Sequence, residues 1–244
     1  MKNVVVLTGA GMSAESGLNT FRDSNGLWEG HDVMDVATPE AFEKDPKLVL
    51  EFYNQRRRQL LNVHPNKGHH NLKELEKYFN IHIITQNVDD LHEKAESSNV
   101  LHLHGELRKV RSIVNKDIIL NWSKDLHLGD FDSVGNQLRP HVVWFGEEVP
   151  MLDNAIERVK QADILVIIGT SKIIEEHIKC LVKLKFKILA ICSSRKKSKN
   201  LSYLSKKYKI KNSFDNYVDC EKFLETNNKD FAFFLAPRIK DTEN

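Results

Sequence analysis

The chain opens with an unbroken apolar run: residues 3–8 (NVVVLT) are mostly β-branched and stop at Gly9, as a strand covered on both faces does. A helix is expected to follow, beginning near Ser13. Thr38-Pro39-Glu40 and Asp45-Pro46 each read as a helix start, and the second leads into PKLVLEFYNQRRRQLL, whose apolar residues recur at helical spacing. Residues 66–79 predict another amphipathic helix, while 81–86 (IHIITQ), 99–103 (NVLHL) and 163–168 (DILVII) predict strands, the last ending at Gly169. Strands alternating with helices imply an α/β fold with a doubly wound, Rossmann-like parallel sheet. Ligands bind beyond the carboxyl ends of such strands. Here those ends read Thr8-Gly9-Ala10-Gly11, Thr85-Gln86-Asn87-Val88-Asp89, His104-Gly105 and Gly169-Thr170-Ser171. Residues 106–138 break the alternation, being polar and weakly periodic, and are expected to form a small inserted module. The resulting division is a single domain over 1–244, with its large part in 1–30, 66–105 and 139–240, a helical insertion at 31–65 and the small insertion at 106–138.

Composition narrows the possible functions. Apolar residues make up 41% and charged residues 29% of the 244, a globular balance. Lys+Arg 36 against Asp+Glu 34 leaves a formal charge of +2, too even for a protein whose main work is neutralising nucleic-acid phosphates. No apolar run is long enough for a membrane span, and the first residues turn to glycine too early for a signal peptide, so the expected location is cytoplasmic. The lysine-rich stretch from about Lys183 reads as solvated surface. Cys180, Cys192 and Cys220 lie far apart and suggest neither a disulfide framework nor a cysteine metal site. Among eleven histidines, His69-His70 adjoin, and His102 and His104 would share one face of a strand. Two such ligands without a third favour structural or catalytic histidines, and no metal is expected.

Gly9-Ala10-Gly11 would let the backbone turn tightly and approach a pyrophosphate. Ala14 stands where the third glycine of a GxGxxG fingerprint belongs, with Gly17 nearest, which disfavours a plain dehydrogenase site. The continuation to Asp23 puts Arg22 within reach of phosphates. The blocks GAGMSAESGLNTFRD, TQNVDDLH, LHLHGEL, RPHVVWFGE and IGTS, in this order, resemble those of sirtuins, the NAD-dependent protein-lysine deacylases, over residues 3 to about 171. The likeness is greatest to bacterial sirtuins that prefer succinyl and malonyl groups.

The resemblance implies NAD as cofactor and acyl-lysine proteins as substrates. It would place Gly9, Ala10, Gly11, Ser13 and Arg22 around the NAD phosphates and ribose, and Phe21 as a shield over the reacting ribose. Gln86 and Asn87 would bind the nicotinamide ribose and order a water, giving Asn87 a catalytic part. Asp89 and the Val88 backbone would hold the carboxamide, and Gly169, Thr170 and Ser171 would finish the phosphate contacts. His104 would be the general base, a role suited to an unperturbed pKa near 6.5. The backbone of Val143, Trp144, Phe145 and Gly146 would pair with an extended substrate peptide. Tyr53 and Arg56, three apart on one helix face, match the pair that binds an acyl carboxylate in the resembling sirtuins, a site an acetyl group cannot exploit.

Two departures accompany the likeness. Most sirtuins hold a structural zinc with four cysteines, yet no cysteine lies between Gly105 and Arg139. Ser112 stands where the first is expected, and DFDSVGNQ replaces the second pair. After Ser171 the chain reads Lys172-Ile173-Ile174-Glu175-Glu176-His177, and the strand KILAI ends in Cys192-Ser193-Ser194-Arg195; three explanations compete, divergence with Ser193 or Ser194 serving the adenine-side ribose, a degraded pseudoenzyme, or a coding-frame error after about residue 171. Protein ADP-ribosylation and non-catalytic binding of NAD or acyl-peptide are the alternatives to deacylation.

Overall fold

The structure is a computed structural model that describes residues 1–18, 27–28, 30–168, 178–179, 182–183, 190–192, 199–215, 219 and 232–235. Strands β1 (Asn3–Thr8), β2 (Leu27–Trp28) and β3 (His31–Asp32) precede helices α1 (Val33–Val36), α2 (Pro39–Lys44), α3 (Pro46–Leu61) and α4 (Lys67–Leu75). Then come β4 (Asn80–Thr85), α5 (Leu91–Lys94), β5 (Val100–His102), β6 (Gly105–Ser112), β7 (Ile119–Asn121), β8 (Leu138–Val142), α6 (Leu152–Lys160) and β9 (Ile164–Ile168). The remainder contains β10 (Ala190–Cys192), α7 (Lys199–Lys207), β11 (Asn212–Phe214) and β12 (Ala232–Leu235).

The central sheet runs β12-β9-β1-β4-β5, with every pair parallel. The chain winds outward through β4 and β5, then returns to the other side of β1 through β9. The winding reverses between β1 and β9, where an open α/β sheet has its ligand crevice. Both faces are covered: Val5, Ile84, Leu165 and Ile167 pack with Ala155 of α6 and Leu204 of α7, while Val4, Val6, Ile81 and Ile83 pack with Leu72 of α4. That double burial is why β1 carries no polar alternation.

The helix starts at Thr38 and Asp45 form as the sequence suggests. Thr38 Oγ1 accepts the Ala41 amide at 3.0 Å, and Asp45 Oδ1 accepts the Leu48 amide at 3.0 Å. α4 begins with a reciprocal Asn66/His69 cap and ends at Leu75, short of the predicted 79. Residues 105–142 form a three-stranded antiparallel sheet, β7-β6-β8. This sheet and the helices α1–α3 share their cores: Phe52, Tyr53 and Leu60 pack with Leu107, Val142 and Trp144, and Leu50 packs with Val110, Leu126 and Leu138. Asn54 seals the joint, its amide donating to the Leu126 carbonyl and its oxygen accepting the Leu126 amide.

Candidate active site

Thr8 and Thr85 end neighbouring strands and are fully buried. The Thr85 hydroxyl accepts the Asn87 amide at 3.0 Å, turning the chain out of β4. From there a line of side chains reaches the glycine loop. Asn87 Nδ2 donates to Ser13 Oγ at 2.9 Å, and Ser13 Oγ donates to Asp89 Oδ2 at 2.8 Å. Burial pushes the Asp89 carboxyl up, against the opposing hydrogen bonds from Ser13 and the Leu91 amide. Backbone bonds brace the same loop: Gln86 donates to the Thr8 carbonyl, and the Val88 carbonyl accepts the Leu107 amide at 2.8 Å.

The helix expected at Ser13 is absent. Two 3-10 turns, Ala10–Met12 and Ala14–Ser16, stand there, and Gly17 closes the second at φ 93°. Ser13 spends its hydroxyl on Asp89, so no side chain caps either turn. An anion here would be met by backbone amides in a short turn, without the summed dipole of an α-helix. A Cβ placed on Gly9 would meet no atom of the described residues within 4 Å, so those residues leave the loop open on that side.

His102 and His104 project from the end of β5 onto the same loop. His102 Nδ1 lies 2.9 Å from the Asn87 carbonyl, and His104 Nδ1 lies 3.0 Å from the Gln86 carbonyl. A carbonyl oxygen only accepts, so both Nδ1 atoms carry the proton. In neutral His104 this leaves the lone pair on Nε2, and burial holds its pKa below the ordinary value of 6.5. Gly105 follows at φ 80°, where a Cβ would fall 2.0 Å from the His141 carbonyl oxygen. Only glycine lets β6 pass β8 so closely beside His104. His69 is buried against the His92 ring at 4.8 Å, and burial lowers the two to about 4 and about 3, so both are neutral. Among the described residues no group of three His, Cys, Asp or Glu could hold a metal.

On α3, Tyr53 is fully buried and its hydroxyl accepts a hydrogen bond from Trp144 Nε1 at 2.9 Å. Burial pushes the Tyr53 phenol far above its usual range, so it stays a neutral hydroxyl, and the Arg56 charge acts on it. The guanidinium of Arg56 lies over the Phe52 ring at 4.0 Å and donates to the Phe52 carbonyl. Trp144 is gripped in turn: Arg139 lies 3.3 Å above its ring, and its amide donates to Glu147 Oε2 at 2.8 Å. Glu147 also pairs with Arg111 and Arg139, both buried. Glu147 closes the block RPHVVWFGE, but nothing in the sequence announces its role as anchor. The Val143 and Phe145 amides are taken by the carbonyls of His104 and Ala37. Three of the four amides in Val143–Gly146 are thus used within the chain, and the Trp144 carbonyl accepts the Glu147 amide.

A profile of the Sir2 family matches residues 9–176. The chain belongs to the Sir2 family. It is 62% identical over 171 residues to an NAD-dependent protein deacylase of Helicobacter pylori, a match covering 70% of this chain and 75% of that one. An NAD-dependent protein deacylase of Bacteroides thetaiotaomicron is 57% identical over 177 residues, covering 70% and 76%. Among solved structures, a complex of a Sir2 homologue with NAD superposes at TM-score 0.72 with 37% identity, over 91% of this chain and 88% of that one.

NAD fits the described part of this Sir2 site. The loop open at Gly9 suits a pyrophosphate, and the buried Asn87–Ser13–Asp89 line offers the amide and carboxyl groups a carboxamide needs. Phe21, Arg22, Gly169, Thr170, Ser171, Ser193 and Ser194 lie outside the described residues. The structural zinc of other sirtuins does not fit. Ser112 Oγ accepts the amides of Val114 and Asn115 at 3.2 Å each, and Asp132 Oδ1 accepts those of Val134 and Asn136. Ser112 also helps hold the Asp132 carboxyl pKa low. Where thiolates would converge, two buried oxygen-bearing side chains are tied into the turns.

Proposed function

We infer that this Sir2 chain works as an NAD-dependent protein-lysine deacylase, and we propose that it prefers succinyl- and malonyl-lysine to acetyl-lysine. The preference rests on one observation: Tyr53 and Arg56 lie one turn apart on α3, and the Arg56 charge acts on the Tyr53 hydroxyl that Trp144 holds. A neutral donor beside a fixed positive charge suits a terminal carboxylate and gives an acetyl methyl nothing to bind.

Bound NAD would supply the electrophilic ribose carbon and the nicotinamide leaving group. The chain's residues would do the rest. Asp89 and the Val88 amide would hold the carboxamide, and the line from Asn87 to Ser13 would fix its direction. His104, neutral with a lone pair on Nε2, would accept a proton there from a ribose hydroxyl. The Gln86 carbonyl would keep the ring from turning as it becomes charged. Gly146 would align the substrate backbone.

The test compares kcat/KM for matched succinyl- and acetyl-lysine peptides in the wild type, Arg56→Met and Tyr53→Phe. Losing a charge-assisted bond to the acyl carboxylate should lower succinyl turnover about tenfold or more, with far less change for acetyl. Equal losses on both peptides would contradict the preference and leave deacylation intact.

A further inference from the structure

Beside the base stands a second imidazole that the reaction does not use. His102 Nδ1 donates to the Asn87 carbonyl at 2.9 Å, and its Nε2 lies 2.8 Å from Glu93 Oε1. We propose that His102, held as an imidazolium by Glu93, is a positioning residue that fixes the Gln86–Asp89 loop for NAD. The proposal rests on the reading of that loop as part of the cofactor site.

The geometry is a matched comb. Alternate residues of an extended segment project to one side, so His102 and His104 reach two consecutive carbonyls, those of Asn87 and Gln86. Fixing the Asn87 backbone aims its side-chain amide at Ser13, and Ser13 holds Asp89. The two imidazoles then divide the work. His104 must change its protonation during turnover, whereas His102 keeps the loop in place whatever state His104 is in.

Charge separates the pair. Glu93 and His92 face His102 from α5, Glu106 from β6, and Asp89 from the loop itself. Burial is the largest single cause and lowers the His102 pKa, but the Glu93 bond and charge, with the Asn87 carbonyl and Glu106, together outweigh it and the net shift is upward, while His104, with no carboxylate partner among the described residues, shifts down. As pH rises through the raised pKa, His102 loses its Nε2 proton and presents a lone pair to the Glu93 carboxylate. The clamp therefore loosens on the alkaline side.

The test pairs NAD titration calorimetry with 15N NMR of the imidazole rings, which needs no turnover. In the wild type at pH 6.5, His102 should be mostly doubly protonated and His104 mostly neutral with its proton on Nδ1. His102→Ala should weaken NAD binding about tenfold, the loss of one charge-assisted hydrogen bond. His102→Asn, whose amide nitrogen stands where Nδ1 was, should recover most of it, and Glu93→Gln should lower the His102 pKa. A bare Nδ1 on His102, unchanged binding in His102→Ala, or no recovery in His102→Asn would each overturn the proposal. Failure of the wild type to bind NAD would overturn the cofactor reading, and this role with it.

Discussion

His102 and His104 stand two residues apart and donate to neighbouring carbonyls, yet among the described residues only His102 has a carboxylate at its second nitrogen. That difference leaves His104 able to accept a proton. His104→Ala should cut deacylation about a hundredfold or more while NAD still binds, as read by kcat and by calorimetry. The base must be neutral, and burial holds its pKa below 6.5, so the acid limb of kcat/KM should fall below that pH. A limb centred above 6.5 would contradict the assignment. The sequence supplied the motif residues here but not their partners. The pairing of Glu93 with His102 crosses from α5 to the end of β5, and the grip of Glu147 on Trp144 closes a turn of four residues through a side chain that also takes two buried arginines. No local spacing announces them.

At the level of elements, capped helices and buried strands were readable because their signals are local. Thr38-Pro39 and Asp45-Pro46 combine a side-chain acceptor with a proline that tolerates the first helical turn. Thr38→Ala should cost about 1 kcal/mol, measured by urea unfolding. The turn after Gly9 was misread as a helix, since serine there looks like a cap but serves Asp89. β6 and β8 escaped notice because their buried positions include Arg111, Ser112 and Arg139, whose burial Glu147 and Asp132 make tolerable. Gly105→Ala would combine a positive φ with a clash against the His141 carbonyl. It should destabilise the fold by about 2 kcal/mol or more and disturb His104, visible as a lowered melting temperature together with lost activity.

For the whole molecule, the alternation of strands and helices was enough to foresee the doubly wound sheet. It did not foresee that the helices α1–α3 and the β7-β6-β8 sheet share one core, since that core joins segments some 50 residues apart through contacts such as Arg57 to the Leu107 carbonyl. The hydrogen-bonded turns around Ser112 and Asp132 should hold their part of that lobe without metal, so a chelator should leave the melting temperature unchanged. Burial alone would raise the Asp132 pKa, but bonds from Ser112, Asn136 and Val134 hold it at about 2. Its folded pKa lies below the unfolded one, so its contribution is present above the ordinary carboxylate range and is lost as pH falls through about 2. Wild type and Asp132→Ala should therefore differ in melting temperature at neutral pH and converge in strong acid. The most direct test of the account is mass spectrometry of matched succinyl- and acetyl-lysine peptides incubated with the full chain, with and without NAD, beside a His104→Ala control. The account predicts NAD- and His104-dependent release of both acyl groups, faster for succinyl; folded protein that binds NAD and turns over neither peptide would contradict it.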